Sequence, residues 1–370
     1  MKFYLIAGER SGDLHGGNLI KQIKQREPDA RFRGFGGDYM LEAGMDKVVH
    51  YRELAFMGFA EVLANLRTIS KKIDQCKADI LGYKPDVVIL IDYAGFNMRI
   101  AKFAHKHGIK VFWYISPKVW AWNQSRALKL KANVDRMFAI LPFEKQFFKR
   151  FDWDINYVGN PVLDAIKSHQ AKVDFATSLK LESHKKVVAL LPGSRHQELK
   201  KIIPVMAGVA AKMPEAQFVV AAVSNLNKSL YQDLSKLSNV KFVEDAAYDL
   251  LRAADAAVVT SGTATLETAL FRVPEVVVYK TSRLSYMIAK LLIKVRFISL
   301  VNLIADKLVV KEMIQKDASA EAVSNELNKI LNDKAYREKM LNDYDEIIRI
   351  LDTGSASENT ARLMLQYLKQ

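Results

Sequence analysis

Val187-Val188-Ala189-Leu190-Leu191-Pro192-Gly193-Ser194-Arg195 is the stretch whose reading decides the fold. The run Val187 to Leu190 has no polar residue and reads as a buried strand, and helical spacing follows Arg195. A second stretch has the same layout. There the apolar run Ala256 to Val259 leads into Thr260-Ser261-Gly262-Thr263-Ala264-Thr265-Leu266-Glu267. Both are strand-to-helix turns. Such turns aim unsatisfied backbone N–H groups at whatever lies above them, and the helix dipole adds partial positive charge. Gly193 and Gly262 let a ligand approach the backbone closely. Arg195 supplies a fixed cationic fork suited to phosphate. Two such turns and an arginine in one half of the chain point to a diphosphate site. A single Gly-Ser turn would read as an ordinary α/β turn.

The chain has 370 residues, which sets an expectation of two domains. Half of the residues are hydrophobic, enough for two cores, and mean hydropathy is close to zero. No apolar run is long enough for a transmembrane helix. Glu9 arrives too early for the opening residues to form a signal-peptide core, so they read as a first buried strand. The lone Cys76 excludes disulfides and cysteine-based metal sites within the chain, and fits a reducing cytoplasm. Lysine and arginine exceed aspartate and glutamate by 55 − 41 = 14. That surplus favours an anionic partner: nucleic acid, an acidic membrane surface or a phosphorylated substrate. Cations interleave with aromatics from Lys110 through Trp120, Trp122 and Arg126 to Lys131, and again from Phe143 to Phe151. This pattern suits a membrane interface or acyl chains, or base stacking. The plainer alternative is that the aromatics are core.

Strand and helix candidates alternate throughout, as expected for parallel sheets built from βαβ units. The first half offers strands Phe3–Ala7, Arg31–Phe35, Val87–Ile91, Lys110–Ile115 and Arg136–Ile140. The second offers Val187–Leu191, Phe218–Ala222, Val240–Val243, Ala256–Val259 and Glu275–Val278. We read two Rossmann-like α/β domains, 1–165 and 166–354, divided just after Val158-Gly159-Asn160-Pro161. Ligands of open parallel sheets bind beyond the strand carboxyl ends, so a cleft between the two sheets is the expected site. After the break at Gly354-Ser355, a last amphipathic helix within 355–370 either packs back on the first domain or ends the chain as a plain terminal helix.

In the first domain, Ala7-Gly8-Glu9-Arg10-Ser11-Gly12-Asp13 closes the first strand. It is not a G-x-G-x-x-G fingerprint. Ser11 and Asp13 read equally as helix caps or substrate contacts, and His15 is a candidate acid or base. Asp92 follows the wholly apolar Val87–Ile91. A carboxylate there sits at the cleft rim, where partial burial raises its basicity; the alternative is a cap on the next helix. Ser116-Pro117 and Trp120-Ala121-Trp122 follow the next strand and are expected at the same rim. Leu54, Phe56, Met57, Phe59, Val62 and Leu63 form an apolar helical face, either core or an acyl surface.

Taken in order, these residues resemble the lipid-A-disaccharide synthase family. The resemblance spans almost the whole chain. It rests on Ala7 to Asp13, Met57-Gly58 before Glu61-Val62, Lys84-Pro85-Asp86 with Ile91-Asp92, and Tyr114-Ile115-Ser116-Pro117 with Val119-Trp120-Ala121-Trp122. It continues through Leu141-Pro142-Phe143-Glu144, the two second-half turns, and Ser299-Leu300-Val301-Asn302-Leu303. The resemblance implies a GT-B-type fold and an inverting, metal-independent transferase without cofactor. Its substrates would be UDP-2,3-diacylglucosamine and 2,3-diacylglucosamine 1-phosphate, with the disaccharide formed by a β-1,6 linkage.

It further implies Asp92 as base, Arg195 at the diphosphate and Asn302 as an essential loop residue. Gly193, Ser194, Ser261, Gly262, Thr263, Ala264, Thr265, Glu267 and Asn302 would join Arg195 around the UDP-sugar, Glu267 at the ribose. Glu9, Ser11, Gly12, Asp13, Met57, Phe59, Trp120 and Trp122 would serve the acceptor and its acyl chains. The pattern departs from relatives at Gly95, where many carry a second aspartate, and at Val301, where a proline often precedes the asparagine. The implied setting is cytoplasmic, on the anionic inner face of the inner membrane, with a homodimer as a candidate assembly and no nucleic acid. Competing readings are another UDP-sugar enzyme of this fold, such as a UDP-N-acetylglucosamine 2-epimerase, and a basic nucleic-acid-binding α/β protein.

Overall fold

The computed structural model describes residues 1–53, 66–171, 174–224 and 226–370, with backbone alone at 66, 283–285, 288 and 289. It divides into two compact units, Met1–Asp164 with Leu351–Gln370 and Ala165–Ile350.

The first unit is built on a seven-stranded parallel sheet of order β3-β2-β1-β4-β5-β6-β7 among the described residues. Its strands are β1 Lys2–Ala7, β2 Arg31–Gly36, β3 Met45–His50, β4 Val87–Ile91, β5 Lys110–Tyr114, β6 Arg136–Ala139 and β7 Asn156–Tyr157. The central strand β4 is VVILI and every residue is buried, as a sheet covered on both faces requires. Chain order reverses between β1 and β4. The loops at their carboxyl ends therefore part and leave a crevice.

The second unit has a six-stranded parallel sheet, β10-β9-β8-β11-β12-β13. These are β8 Val187–Leu191, β9 Gln217–Ala222, β10 Val240–Glu244, β11 Ala256–Thr260, β12 Glu275–Tyr279 and β13 Lys311–Ile314. Here the reversal lies between β8 and β11, the two strands that carry the glycine turns.

Strands β3, β7 and β13 were not foreseen from the sequence. All three lie at sheet edges, where one flank meets solvent and polar residues replace the apolar run. The sequence of β3 is MDKVVH and that of β13 is KEMI.

The last helix, Ala356–Leu368, lies in the first unit and packs on the helix Arg10–Arg26. Ala361, Met364 and Leu365 belong to the core that contains Leu19, Ile23, Ile89 and Phe138. Arg26 pairs with Glu358 at 2.8 Å, and Tyr367 Oη donates to Asn156 Oδ1 at 2.9 Å. Ser355 Oγ donates to Asp164 Oδ2 at 3.0 Å, closing the return of the chain. Full burial of a Met or Leu side chain contributes about 1.5–3 kcal/mol, so the hydrophobic side of this helix outweighs its exposed ion pair.

Candidate active site

Asp92 directly follows β4, beside Gly8 and Glu9, because Ala7 and Ile91 are register partners in β1 and β4. Both Asp92 and Tyr93 have left-handed backbones, with φ of 45° and 47°. An aspartate tolerates that region and a tyrosine rarely does, so strain is held at this strand end. Asn97 stabilises it by donating from Nδ2 to the carbonyls of Ile91 and Asp92, at 3.3 and 2.8 Å. The Tyr93 ring lies directly over Gly8; a Cβ on that glycine would stand 2.3 Å from Tyr93 Cγ.

Asp92 is not the cap of the next helix. Tyr93 occupies that position in Ala94–Lys106, and no side chain caps it. Burial pushes the Asp92 carboxyl up to about 6, Glu9 adds to the shift, and Lys118 opposes it. A half-buried carboxylate with this basicity, at a strand-order reversal, can accept a proton from a hydroxyl near neutral pH. His15 is less suited. Burial pushes it down to about 4, which keeps it neutral, and among the described residues its Nδ1 has no hydrogen-bond partner.

Other residues expected here as acceptor contacts fall into two groups. Glu9, Ser11 and Trp122 are exposed, and Trp122 stacks against the Arg126 guanidinium, 4.7 Å from the ring centroid. Gly12, Asp13 and Trp120 are buried. Asp13 does not cap its own helix. Its carboxylate accepts from the backbone N–H groups of Gly37, Tyr39 and Met40 at 2.6, 3.1 and 3.2 Å, and so holds the start of the helix Asp38–Glu42. Trp120 donates from Nε1 to Glu144 Oε1 at 3.1 Å, and Ser116 Oγ binds the same oxygen. Glu144 Oε2 accepts from the Leu141 N–H at 3.0 Å. Ser116 and Trp120 thus join a buried polar node while Trp122 of the same block stays exposed, and burial pushes Glu144 up to about 7. Phe112, Trp113, Tyr114, Phe147 and Phe148 are also core. These aromatics pack inward because the strand Lys110–Tyr114 is buried on both faces and the helix Pro142–Lys149 turns one stripe to the core, whereas Trp122 stays exposed. Met57 and Phe59, with Leu54, Phe56, Val62 and Leu63, lie outside the described residues.

In the second unit the two glycine turns flank the β8/β11 reversal. Gly193 has φ of 96°, and a Cβ there would lie 2.9 Å from Glu198 Oε2. Among the described residues nothing lies within 4 Å of such a Cβ at Gly262, which leaves space beside its backbone. The helices His196–Lys212 and Thr263–Leu270 begin without a side-chain cap. Their first N–H groups are therefore left at the β8/β11 reversal without a capping side chain, as an anion site requires. Arg195 is 60% exposed and pairs with Glu198 at 2.9 Å, which holds the guanidinium beside the first turn. Ser194 and Thr263 are exposed and Ala264 is half-buried. Glu267 accepts from Tyr248 Oη at 2.9 Å, and burial raises its carboxyl.

Three residues expected to touch UDP-sugar also bond within the fold. Ser261 Oγ donates to the Ile298 carbonyl at 3.0 Å. Thr265 is fully buried; its hydroxyl donates to the Gly262 carbonyl at 2.9 Å and accepts from the Leu300 N–H at 3.3 Å. Asn302 is fully buried with its amide saturated. It donates to the Val310 carbonyl at 2.8 Å and Glu312 Oε1 at 2.9 Å, and accepts from the Val309 and Val310 N–H groups at 2.8 and 2.9 Å. Glu312, missed in the sequence, also receives Ser299 Oγ at 2.8 Å and the Ser299 N–H at 2.9 Å. Together they clamp segment 298–302 onto the Ser-Gly-Thr turn. An acidic residue on a short strand near an asparagine was the available signal, but Glu312 lies ten residues from Asn302 and nothing local pairs them. Among the described residues, no group of three or more His, Cys, Asp or Glu side chains is placed to hold a metal ion.

Comparison with known proteins decides which family this site belongs to. Residues 3–365 match the family described as Lipid-A-disaccharide synthetase. The chain belongs to that family. The lipid-A-disaccharide synthase of Geobacter sulfurreducens is 38% identical over 99% of this chain and 97% of its own length. The synthase of Syntrophus aciditrophicus is 39% identical over the same shares. Among solved structures, UDP-GlcNAc 2-epimerase from Neisseria meningitidis bound to UDP-GlcNAc superposes with a TM-score of 0.69 at 15% identity, covering 100% of both chains. The glycosyltransferase of kitacinnamycin gives 0.69 at 14% identity, covering 99% of each. These structural likenesses show the fold, the GT-B-type pair of α/β units expected from the sequence. The epimerase alternative is not favoured, since the relatives at this higher identity are synthases.

Proposed function

We propose that this family member is the glycosyltransferase that moves 2,3-diacylglucosamine from UDP to the 6-hydroxyl of 2,3-diacylglucosamine 1-phosphate. The products are the β-1,6-linked disaccharide 1-phosphate and UDP. The supporting observation is the pair of uncapped helix starts with Arg195 at the β8/β11 reversal, set within a full-length family match.

In this reading Asp92 takes the proton from the 6-hydroxyl as its oxygen attacks the anomeric carbon. The bond from that carbon to the diphosphate oxygen breaks, and configuration inverts. Asp92, with its carboxyl near 6, is ionised at neutral pH yet basic enough to share the proton in the transition state. Charge growing on the departing diphosphate is met by Arg195 and by N–H groups around Gly193, Ser194, Gly262, Thr263 and Ala264. Arg195 exchanges Glu198 for the diphosphate. Glu267 meets the ribose. Glu9, Ser11 and Trp122 serve the acceptor, while Ser261, Thr265 and Asn302 shape the nucleotide turn from behind. Gly12, Asp13 and Trp120 support the acceptor side in the same indirect way. The excess of cations suits an enzyme that takes lipid substrates from an anionic membrane surface, at the inner face of the inner membrane.

Incubation with UDP-2,3-diacylglucosamine and the 1-phosphate acceptor, read by mass spectrometry, tests this. A disaccharide 1-phosphate with stoichiometric UDP is expected. Consumption of the donor without any disaccharide would refute the transfer.

A further inference from the structure

The helix Arg283–Leu292 and the residues just after it carry an unusual surface. Met287, Leu291, Leu292 and Ile293 are 63%, 84%, 48% and 42% exposed. Met287 and Leu291 are one helical turn apart and share a face. Lys290, Lys294 and Arg296 are exposed among them. From Val276 to Ala305 the sequence holds no aspartate or glutamate, while Lys280, Arg283, Lys290, Lys294 and Arg296 all fall within it. This segment is in the second unit, away in sequence from the basic-aromatic runs and from residues 54–65.

We propose that this segment is a membrane-docking element that lies on an anionic bilayer, with Met287, Leu291, Leu292 and Ile293 entering the acyl boundary. It rests on the reading of the chain as a peripheral membrane enzyme, and assigns that contact to the second unit. A ten-residue helix is about 15 Å long, half of the roughly 30 Å hydrocarbon layer, so it lies along the surface rather than across it. Long apolar side chains beside lysines are what an interfacial helix presents: the apolar groups bury, and the ammonium groups reach lipid phosphates. A protein partner fits less well, since the cores of protein interfaces are depleted of lysine and here Lys290 directly flanks the face of Met287 and Leu291. The local absence of acids makes the charge complementarity one-sided and specific for an anionic surface.

The test is co-sedimentation of the full chain with vesicles of phosphatidylcholine alone or with added phosphatidylglycerol. Wild type is expected to bind the anionic vesicles and to be released by salt. The triple variant Met287→Ser, Leu291→Ser, Ile293→Ser is expected to lose about tenfold or more in binding. The double variant Lys290→Glu, Lys294→Glu is expected to lose about fivefold for each reversed cation or more. Both should keep the wild-type melting temperature, because every altered side chain is exposed, and both should keep transferase turnover on detergent-dispersed substrates. Unchanged vesicle binding in the two variants overturns the docking element while leaving peripheral association intact. Unchanged vesicle binding together with loss of a wild-type dimer, read by sedimentation, also overturns it and makes this face a contact between copies. A wild-type chain that binds neither kind of vesicle overturns the membrane reading itself, which the transferase assay does not depend on.

Discussion

Asn302 Nδ2 donates to Glu312 Oε1 at 2.9 Å, and this bond ties the segment after β12 to the edge strand β13. The same carboxylate collects the Ile298 N–H and both hydrogen-bonding groups of Ser299. A saturated amide and a multiply bonded carboxylate together fix a backbone that would otherwise have no ladder to join.

Asn302→Ala leaves the Val309 and Val310 N–H groups buried and unpaired. It is expected to destabilise the chain by about 2–4 kcal/mol, seen as a lower urea midpoint. Glu312→Gln places an amide where backbone N–H groups already donate, and is expected to raise KM for the UDP-sugar more than it lowers kcat. If both variants match wild type in stability and KM, the clamp has no part in shaping the nucleotide turn.

Asp92→Asn keeps shape, tolerates the left-handed backbone and removes basicity. A fall in kcat of roughly 100- to 10,000-fold is expected, with UDP affinity unchanged by calorimetry. Because burial raises this carboxyl to about 6, wild-type kcat should rise with pH through that value and level off above it. The asparagine variant should lose this limb. Near-normal kcat in the folded variant would remove Asp92 as base and turn attention to Glu9.

Arg195→Ala is expected to lower turnover by about 100-fold or more, the scale of losing a major charge-stabilising donor. Lysine should rescue only partly, since a point charge replaces a bidentate fork. Steady-state kinetics at saturating acceptor would expose a misplaced diphosphate site as an alanine variant with wild-type kcat/KM.

Glu275 opens β12 fully buried, with neither carboxylate oxygen hydrogen-bonded among the described residues, and burial raises it well above the ordinary range. Its folded pKa is above its unfolded one. The folded state therefore binds this proton more tightly, and the associated stability is full below about pH 4 and is lost as pH climbs toward the folded value. Glu275→Gln should flatten that decline, so that the variant gains on wild type as pH rises from 5 to 8. Parallel urea midpoints for the two proteins across this range would contradict the assignment.

The central strands were legible because burial on both faces leaves a continuous apolar run, as in Val87–Ile91 and Val187–Leu191. Strands β3, β7 and β13 were not, because an edge position relaxes that demand and their residues read as loop. The glycine turns were legible for a local reason too: a strand, a glycine and a helix start within a few residues create their N–H groups without distant help.

By itself the sequence determined the α/β class, the two glycine turns with Arg195 between a strand and a helix, and a carboxylate at the end of an apolar strand. Each follows from the periodicity and backbone preference of neighbouring residues. Tertiary structure alone decided which polar side chains bond within the fold and which reach the surface. Asp13 is taken by the backbone of Gly37, Tyr39 and Met40, Trp120 by Glu144, and Asn302 by Val309, Val310 and Glu312. Asp92 is half-buried at the end of its strand, and Arg195 is largely exposed with its guanidinium held by Glu198. The physical reason is that a buried polar group must find a partner wherever the fold brings one, and the residues that supply it are set by the packing of strands and helices far apart in the chain.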